Sequence, residues 1–321
     1  MGRNNKGVIR SDKKLCPESF NPGVQKKEEL EEMMQDWFRN AKLGIFIHYG
    51  IYAVGDVSES WSFHNGNISY EDYMKQCEGF TASKFDAKKW AELFQKAGAQ
   101  YVVMTAKHHD GVALFDTGYS DLSVVKKTPA ARDLVKEYTA AMREAGLKVG
   151  LYYSLIDWHH PEFPIDPLHP RRDDPDAYEQ SKGRDIKKYA QYMRDQVTEL
   201  LTNYGKIDIL WLDGGWVRKD KGQDIKLDEI MDNARKKQPG LIAVDRTVPG
   251  RNENYQTPEL RIPKTQLNHP WESNITLTNT WGWNPNPKYK SVNWVINSLT
   301  EVVAKGGCLV LNVGPTGEGI I

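Results

Sequence analysis

Short apolar runs recur along the chain, and a stretch of helical periodicity stands before most of them. Residues 43–50 (LGIFIHYG) and 101–106 (YVVMTA) read as fully buried parallel strands, the second following a helical stretch over 87–97. The pattern then predicts a helix over 134–145 before a strand at 147–154, and a helix over 184–204 before a strand at 207–213. Gly146 and Gly205 stand where each helix needs a left-handed stop. Helices near 227–237 and 292–305 precede strands at 241–245 and 308–313. The first forty residues are polar, carry Pro17 and Pro22, and read as a lead-in over 1–34 and a helix ending near Asn40.

Strand after helix after strand calls for a parallel α/β sheet, either doubly wound or closed as a (β/α)₈ barrel. The position of the polar residues decides between them. His48, the His108-His109-Asp110 run, Tyr152-Tyr153, Asp213 and Arg246 all follow apolar strands, so chemistry gathers at the C-terminal ends of many strands, as in a barrel. Neither GxGxxG nor GxxxxGK[ST] occurs, which leaves nucleotide phosphate binding without support. A TIM-like barrel over 35–321, somewhat irregular, is the expectation.

Composition narrows the partner. The 321 residues carry 43 basic and 43 acidic side chains, so no charge excess points to nucleic acid or to a membrane surface. The 10 Trp and 15 Tyr suit sugar faces as well as a large core. Cys16, Cys77 and Cys308 lack CxxC spacing, which supports neither a disulfide framework nor a zinc ribbon. The polar start lacks the apolar stretch of a signal peptide. The expected compartment is periplasmic or extracellular if a leader has been removed, and cytoplasmic otherwise.

The segment 207–215 (IDILWLDGG) delivers a carboxylate, Asp213, at the last position of an apolar strand, with Trp211 on the same face by period-two alternation. A second carboxylate could be Glu272, beside Trp271, where partial desolvation would raise its pKa into the range of a proton donor. Glu259 competes for that role, and a surface glutamate is the ordinary reading of either. Adjacent histidines on an extended strand point to opposite sides, and His48, His108 and His109 show no HxxxH or HxH spacing, so no metal site is expected. Neutral imidazoles can hydrogen-bond sugar hydroxyls instead. His159-His160 is expected to be exposed.

Taken together, Trp37-Phe38, Lys42 to Gly50, Tyr101 to Gly111, Gly150 to Ser154, Leu210 to Gly214, Asp245-Arg246, Tyr255 to Glu259, Pro270 to Glu272, Thr280 to Trp283 and Leu311 to Pro315 resemble, in order, the motifs of the retaining α-L-fucosidase family. The resemblance implies a (β/α)₈-like catalytic domain, usually followed by a β-sandwich, which is expected to be absent here. It implies Asp213 as nucleophile and Glu272 as acid/base, with no cofactor. It further implies that His48, His108, His109 and Arg246 hold the fucose ring, with Trp61 carried over from a motif where Glu59 is out of place. An apolar wall around the C6 methyl would draw on Phe46, Trp211, Trp281 and a tyrosine, for which Tyr153 is preferred over Tyr152 as nearer the mouth. The substrate implied is a glycan bearing terminal α-L-fucose, cleaved by double displacement. The Tyr255 to Glu259 and Trp271-Glu272 stretches look more like the broad-specificity branch. A sugar-binding protein without turnover, an exo-glycosidase acting on α-L-galactosides and a metal-dependent barrel hydrolase are the alternatives.

Overall fold

The computed structural model describes residues 36–321 apart from 56, 218 and 247–251. The expected lead-in over 1–34, with Cys16, lies outside the described residues. Among the described residues seven parallel strands are present: β1 Leu43–Ile47, β2 Tyr101–Lys107, β3 Lys148–Ser154, β4 Ile209–Asp213, β5 Ile242–Asp245, β6 Glu272–Thr276 and β7 Cys308–Val313. They pair in the order β5-β4-β3-β2-β1-β7-β6. The main connecting helices are α1 Ala87–Lys96, α2 Leu134–Glu144, α3 Ile186–Asn203, α4 Leu227–Lys237 and α5 Val292–Ala304.

The helices start where side chains meet the orphan N–H groups. Asp86 accepts from Lys89 N at the head of α1, Asp133 from Lys136 N at α2, and Ser291 from Trp294 N at α5. Gly146 and Gly205, with φ of 74° and 73°, end α2 and the turn after α3 in the left-handed region. Along α2, Leu134, Val135, Tyr138, Ala141 and Met142 are buried, the spacing of one helical face turned onto the sheet. Tyr138 fixes that contact by donating to Val102 O at 2.6 Å.

Between the two outer strands, β5 and β6, residues 252–271 are irregular, and among the described residues no regular eighth strand is present. Asn254 N donates to Ala243 O on β5 at 2.9 Å, while Glu272 N donates to Gln256 O at 2.9 Å and Leu260 N to Asn274 O at 3.0 Å on the β6 side. The closing stave therefore runs through Asn254 to Leu260 and carries Glu259. This is the irregular (β/α)₈-like barrel that the sequence suggested, with β6 as an element that its polar ESNIT sequence did not reveal.

Inside the barrel a second apolar cluster, distinct from the helix-to-sheet core, contains Phe38, Phe46, Tyr101, Val103, Tyr152, Trp211, Tyr255 and Cys308. Layers follow from the register: Tyr101 pairs with Gly44 and Glu272 with Cys308 near the strand starts, whereas Tyr152 pairs with Trp211 higher up. Gly44 makes room for the Tyr101 ring, whose Cζ would lie 2.4 Å from a Cβ there. The helical residues 36–41 plug the bottom, and Phe38 packs on Tyr255 at a centroid distance of 4.3 Å.

Candidate active site

At the opposite end, where the strands finish, lies a cavity of about 190 Å³. That is smaller than the roughly 300 to 1,000 Å³ of sites for drug-sized ligands, and suits a single sugar ring. Asp213, the last residue of β4, stands in its wall. Gly214 follows with φ of 103°, and a Cβ there would come within 2.6 Å of Ile156 Cγ1, so the chain turns away from Asp213 at a position only glycine fills. The Asp213 carboxylate is fixed from three directions. Oδ1 accepts from Gly214 N at 2.9 Å and Oδ2 from Tyr152 OH at 2.9 Å, while Arg246 Nε lies 3.6 Å from Oδ1. Arg246 also hydrogen-bonds the Glu259 carboxylate through Nη2, and its guanidinium lies 5.9 Å from the Trp211 ring centroid.

The three histidines are buried, and burial pushes their pKa values down, that of His48 to about 4 and those of His108 and His109 well below the usual 6.5. They are neutral at pH 7. Asn312 Nδ2 donates to Trp281 O at 2.6 Å, which turns its Oδ1 toward His48 Nδ1 at 2.5 Å. His48 Nδ1 therefore carries the proton and Nε2 is an acceptor. Ser154 Oγ donates to Ile156 O at 2.7 Å and so accepts from His109 Nδ1 at 2.6 Å. The His109 Nε2 acceptor then stands 3.9 Å from Asp213 Oδ2, and a ligand hydroxyl could donate between them. His108 Nδ1 bonds Ser60 Oγ. Among the described residues no group of three or more His, Cys, Asp or Glu could hold a metal ion.

Of the residues singled out in the sequence, Phe46, His48, Trp61, His108, Trp211, Asp213, Arg246 and Trp281 line the cavity. His109 stands behind it, between Trp61 and Asp213. The strand-alternation argument fails for the histidine pair: their rings lie 4.2 Å apart on one side. Both follow Lys107, the last residue of β2, where the backbone has left the strand and the period of two no longer applies. His159 is exposed as expected, but His160 is half-buried against Tyr192.

Two assignments change. Tyr153 points outward to the helices, its hydroxyl donating to Gln196 at 2.8 Å and its ring beneath Lys107 Nζ at 4.6 Å. Tyr152, one step lower but inward, lines the cavity and holds Asp213. Glu272 does not reach the cavity. It opens β6 in register with Cys308, at the strand starts and so at the far end from Asp213, with no exposure. Its Oε1 accepts from Trp211 Nε1 at 2.7 Å and Oε2 from Tyr101 OH at 2.8 Å. A group sealed beneath the floor cannot protonate a leaving oxygen at the mouth; Asn274, two residues on, is the β6 side chain that lines the cavity.

Burial pushes the Glu272 pKa up to about 7, against the pull of the hydrogen bonds from Trp211 and Tyr101. Unfolding drops it to 4.5. Because the folded value is the higher one, this group's contribution is complete below pH 4.5 and is lost as the pH rises toward 7. Glu272→Gln removes that loss. The stability difference between Glu272→Gln and wild type should therefore move in the variant's favour by about 3 kcal/mol from pH 4.5 to 7, read by urea unfolding at several pH values. A difference independent of pH would contradict it.

Glu259 lines the cavity on the irregular stave. Glu59, whose place in its motif looked wrong, is buried in the wall, and burial raises its pKa. The sequence singles out neither Asn274 nor Trp216 and gives Asn312, within the 311–315 motif, no role; the closed barrel brings them to one site.

A family model described as alpha-L-fucosidase matches residues 8–321. α-L-Fucosidase isoenzyme 1 from Paenibacillus thiaminolyticus superposes with a TM-score of 0.85 and 38% identity, over 91% of this chain and 72% of that one. The Thermotoga maritima α-fucosidase, solved with a mechanism-based inhibitor, gives 0.73 and 36%, over 92% and 71%. Rat plasma α-L-fucosidase is 32% identical over 89% of this chain and 65% of its own length, so the chain spans about two thirds of that relative.

Proposed function

Because the chain belongs to the α-L-fucosidase family of glycoside hydrolases, we propose that its cavity cleaves terminal α-L-fucosides by double displacement, with Asp213 as nucleophile and Glu259 as acid/base. One observation carries the pairing: Arg246 bridges both carboxylates at the mouth, Nε to Asp213 and Nη2 to Glu259. Glu259 lines the cavity, whereas Glu272 is walled off below.

Asp213 Oδ attacks C1 as the C1–O bond breaks and the Glu259 proton passes to the leaving oxygen, leaving a fucosyl ester on Asp213. Glu259, now a carboxylate, takes a proton from water. The water oxygen bonds C1, the ester C–O bond breaks, and fucose leaves with its original configuration. Retention of this kind goes with carboxyl groups about 5 to 5.5 Å apart. Neutral His48 and His109 offer acceptors to ring hydroxyls, and Phe46, Trp211 and Trp281 give the C6 methyl an apolar wall. A C6 hydroxyl, as in an α-L-galactoside, would meet that wall without a partner, which favours fucose modestly.

Proton NMR during hydrolysis of an aryl α-L-fucoside should show α-L-fucose first, with the β anomer growing in only by mutarotation. Initial β-L-fucose would overturn double displacement.

A further inference from the structure

Beneath the cavity, the barrel floor holds a carboxyl that the reaction above does not use. Glu272 is enclosed with two phenols and a thiol, those of Tyr101, Tyr255 and Cys308, all buried. These are the titratable groups that face it. Lys42 acts on Cys308, but its ammonium donates to Arg39 O at 2.5 Å. A carboxyl placed among apolar groups without a cation is costly, and its hydrogen bonds are what hold it there.

One of those bonds leads to the site. Trp211 Nε1 donates downward to Glu272, and an indole has a single N–H, so this bond settles which way the ring lies about its side-chain torsion. On its upper side the ring stacks on Tyr152 at 5.5 Å and 25°, meets Phe46 at 5.1 Å, and lies beneath the Arg246 guanidinium. Tyr152 gives Asp213 its hydroxyl hydrogen bond, and Arg246 joins Asp213 to Glu259. The indole thus touches both groups that orient the two carboxylates.

We propose that Glu272 is a positioning residue for the reaction: through the Trp211 Nε1 bond it fixes the indole that sets Tyr152 and Arg246 against Asp213. The inference rests on the assignment of Asp213 and Glu259 made above. Glu272 touches neither substrate nor reacting atoms, and its effect passes through one hydrogen bond.

The test compares wild type, Glu272→Met, Trp211→Phe and the double variant by steady-state kinetics, and follows the Trp211 indole N–H by nitrogen-15 NMR. Met keeps the length of Glu but offers the indole no oxygen to accept its hydrogen bond, and Phe keeps an aromatic ring without the N–H. Glu272→Met should lower kcat roughly 10- to 100-fold with less change in KM, since misplacement by about an ångström costs that much. Trp211→Phe should lose a similar factor, and the double variant no more than the larger single loss. The Trp211 resonance, assigned among the 10 tryptophans by its absence in Trp211→Phe, should shift with pH near neutrality in wild type and stay constant in Glu272→Met. Losses that multiply, wild-type kcat in Glu272→Met, or an indole resonance that ignores both pH and the Met substitution would each overturn the proposal. The resonance is read without turnover, so it decides the point even if Asp213→Ala were to remain active and the catalytic assignment failed. Should Glu272→Met not fold, the wild-type titration of that resonance decides alone.

Discussion

Asp213→Ala is expected to lower kcat/KM for an aryl α-L-fucoside by roughly 10⁴-fold or more, the scale of loss when a nucleophile is removed from a covalent mechanism. The loss should fall on chemistry and leave the fold intact. Arg246 keeps Glu259 as a partner when Asp213 is gone, so no buried cation is stranded. Tyr152 loses an acceptor at the cavity wall, where water can replace it. Added azide should restore turnover, because a small anion can enter the vacated space and attack C1 directly. Unchanged kcat/KM in a folded Asp213→Ala would remove the nucleophile assignment.

Glu259→Ala should behave differently, and the difference separates an acid/base from a nucleophile. With an unactivated oligosaccharide, whose leaving alcohol needs a proton, kcat/KM should fall about 10²- to 10⁴-fold. With a nitrophenyl fucoside, whose leaving group departs without protonation, the first step should be nearly spared and the second should become slow, so that kcat and KM fall together. Arg246 is then left with Asp213, which draws the guanidinium toward the nucleophile. A uniform loss on both substrates would assign Glu259 to binding instead.

Much of this barrel was legible in the chain, and the exceptions share a cause. Strands β1, β2, β3, β4, β5 and β7 announced themselves as apolar runs after helices because both of their faces are covered. Strand β6 did not. Its alternate positions Glu272, Asn274 and Thr276 are polar because they meet Trp211, the cavity and the Thr278 carbonyl, so its sequence resembles a loop. Its pairing with Cys308 fixes Glu272 at the bottom, away from the cavity.

The pairing of Trp211 and Asp213 followed from alternation within a single strand and needed no partner. The choice between Tyr152 and Tyr153 did need one. Height along the strand favoured Tyr153, but the register of Tyr152 with Trp211 decides which ring faces inward. Glu259 was visible as a rival yet could not be ranked, since its position depends on an irregular stave that closes the barrel through hydrogen bonds to both outer strands.

The assignment of the two carboxylates is tested most directly by the stereochemistry of azide rescue in the two alanine variants. An Asp213→Ala enzyme rescued by azide should yield β-L-fucosyl azide, because azide takes the nucleophile's place in a single displacement. A Glu259→Ala enzyme should yield the α azide, because azide there opens the fucosyl ester already formed on Asp213. The same anomer from both variants, or rescue of Glu272→Ala to the α azide with none for Glu259→Ala, would contradict the account.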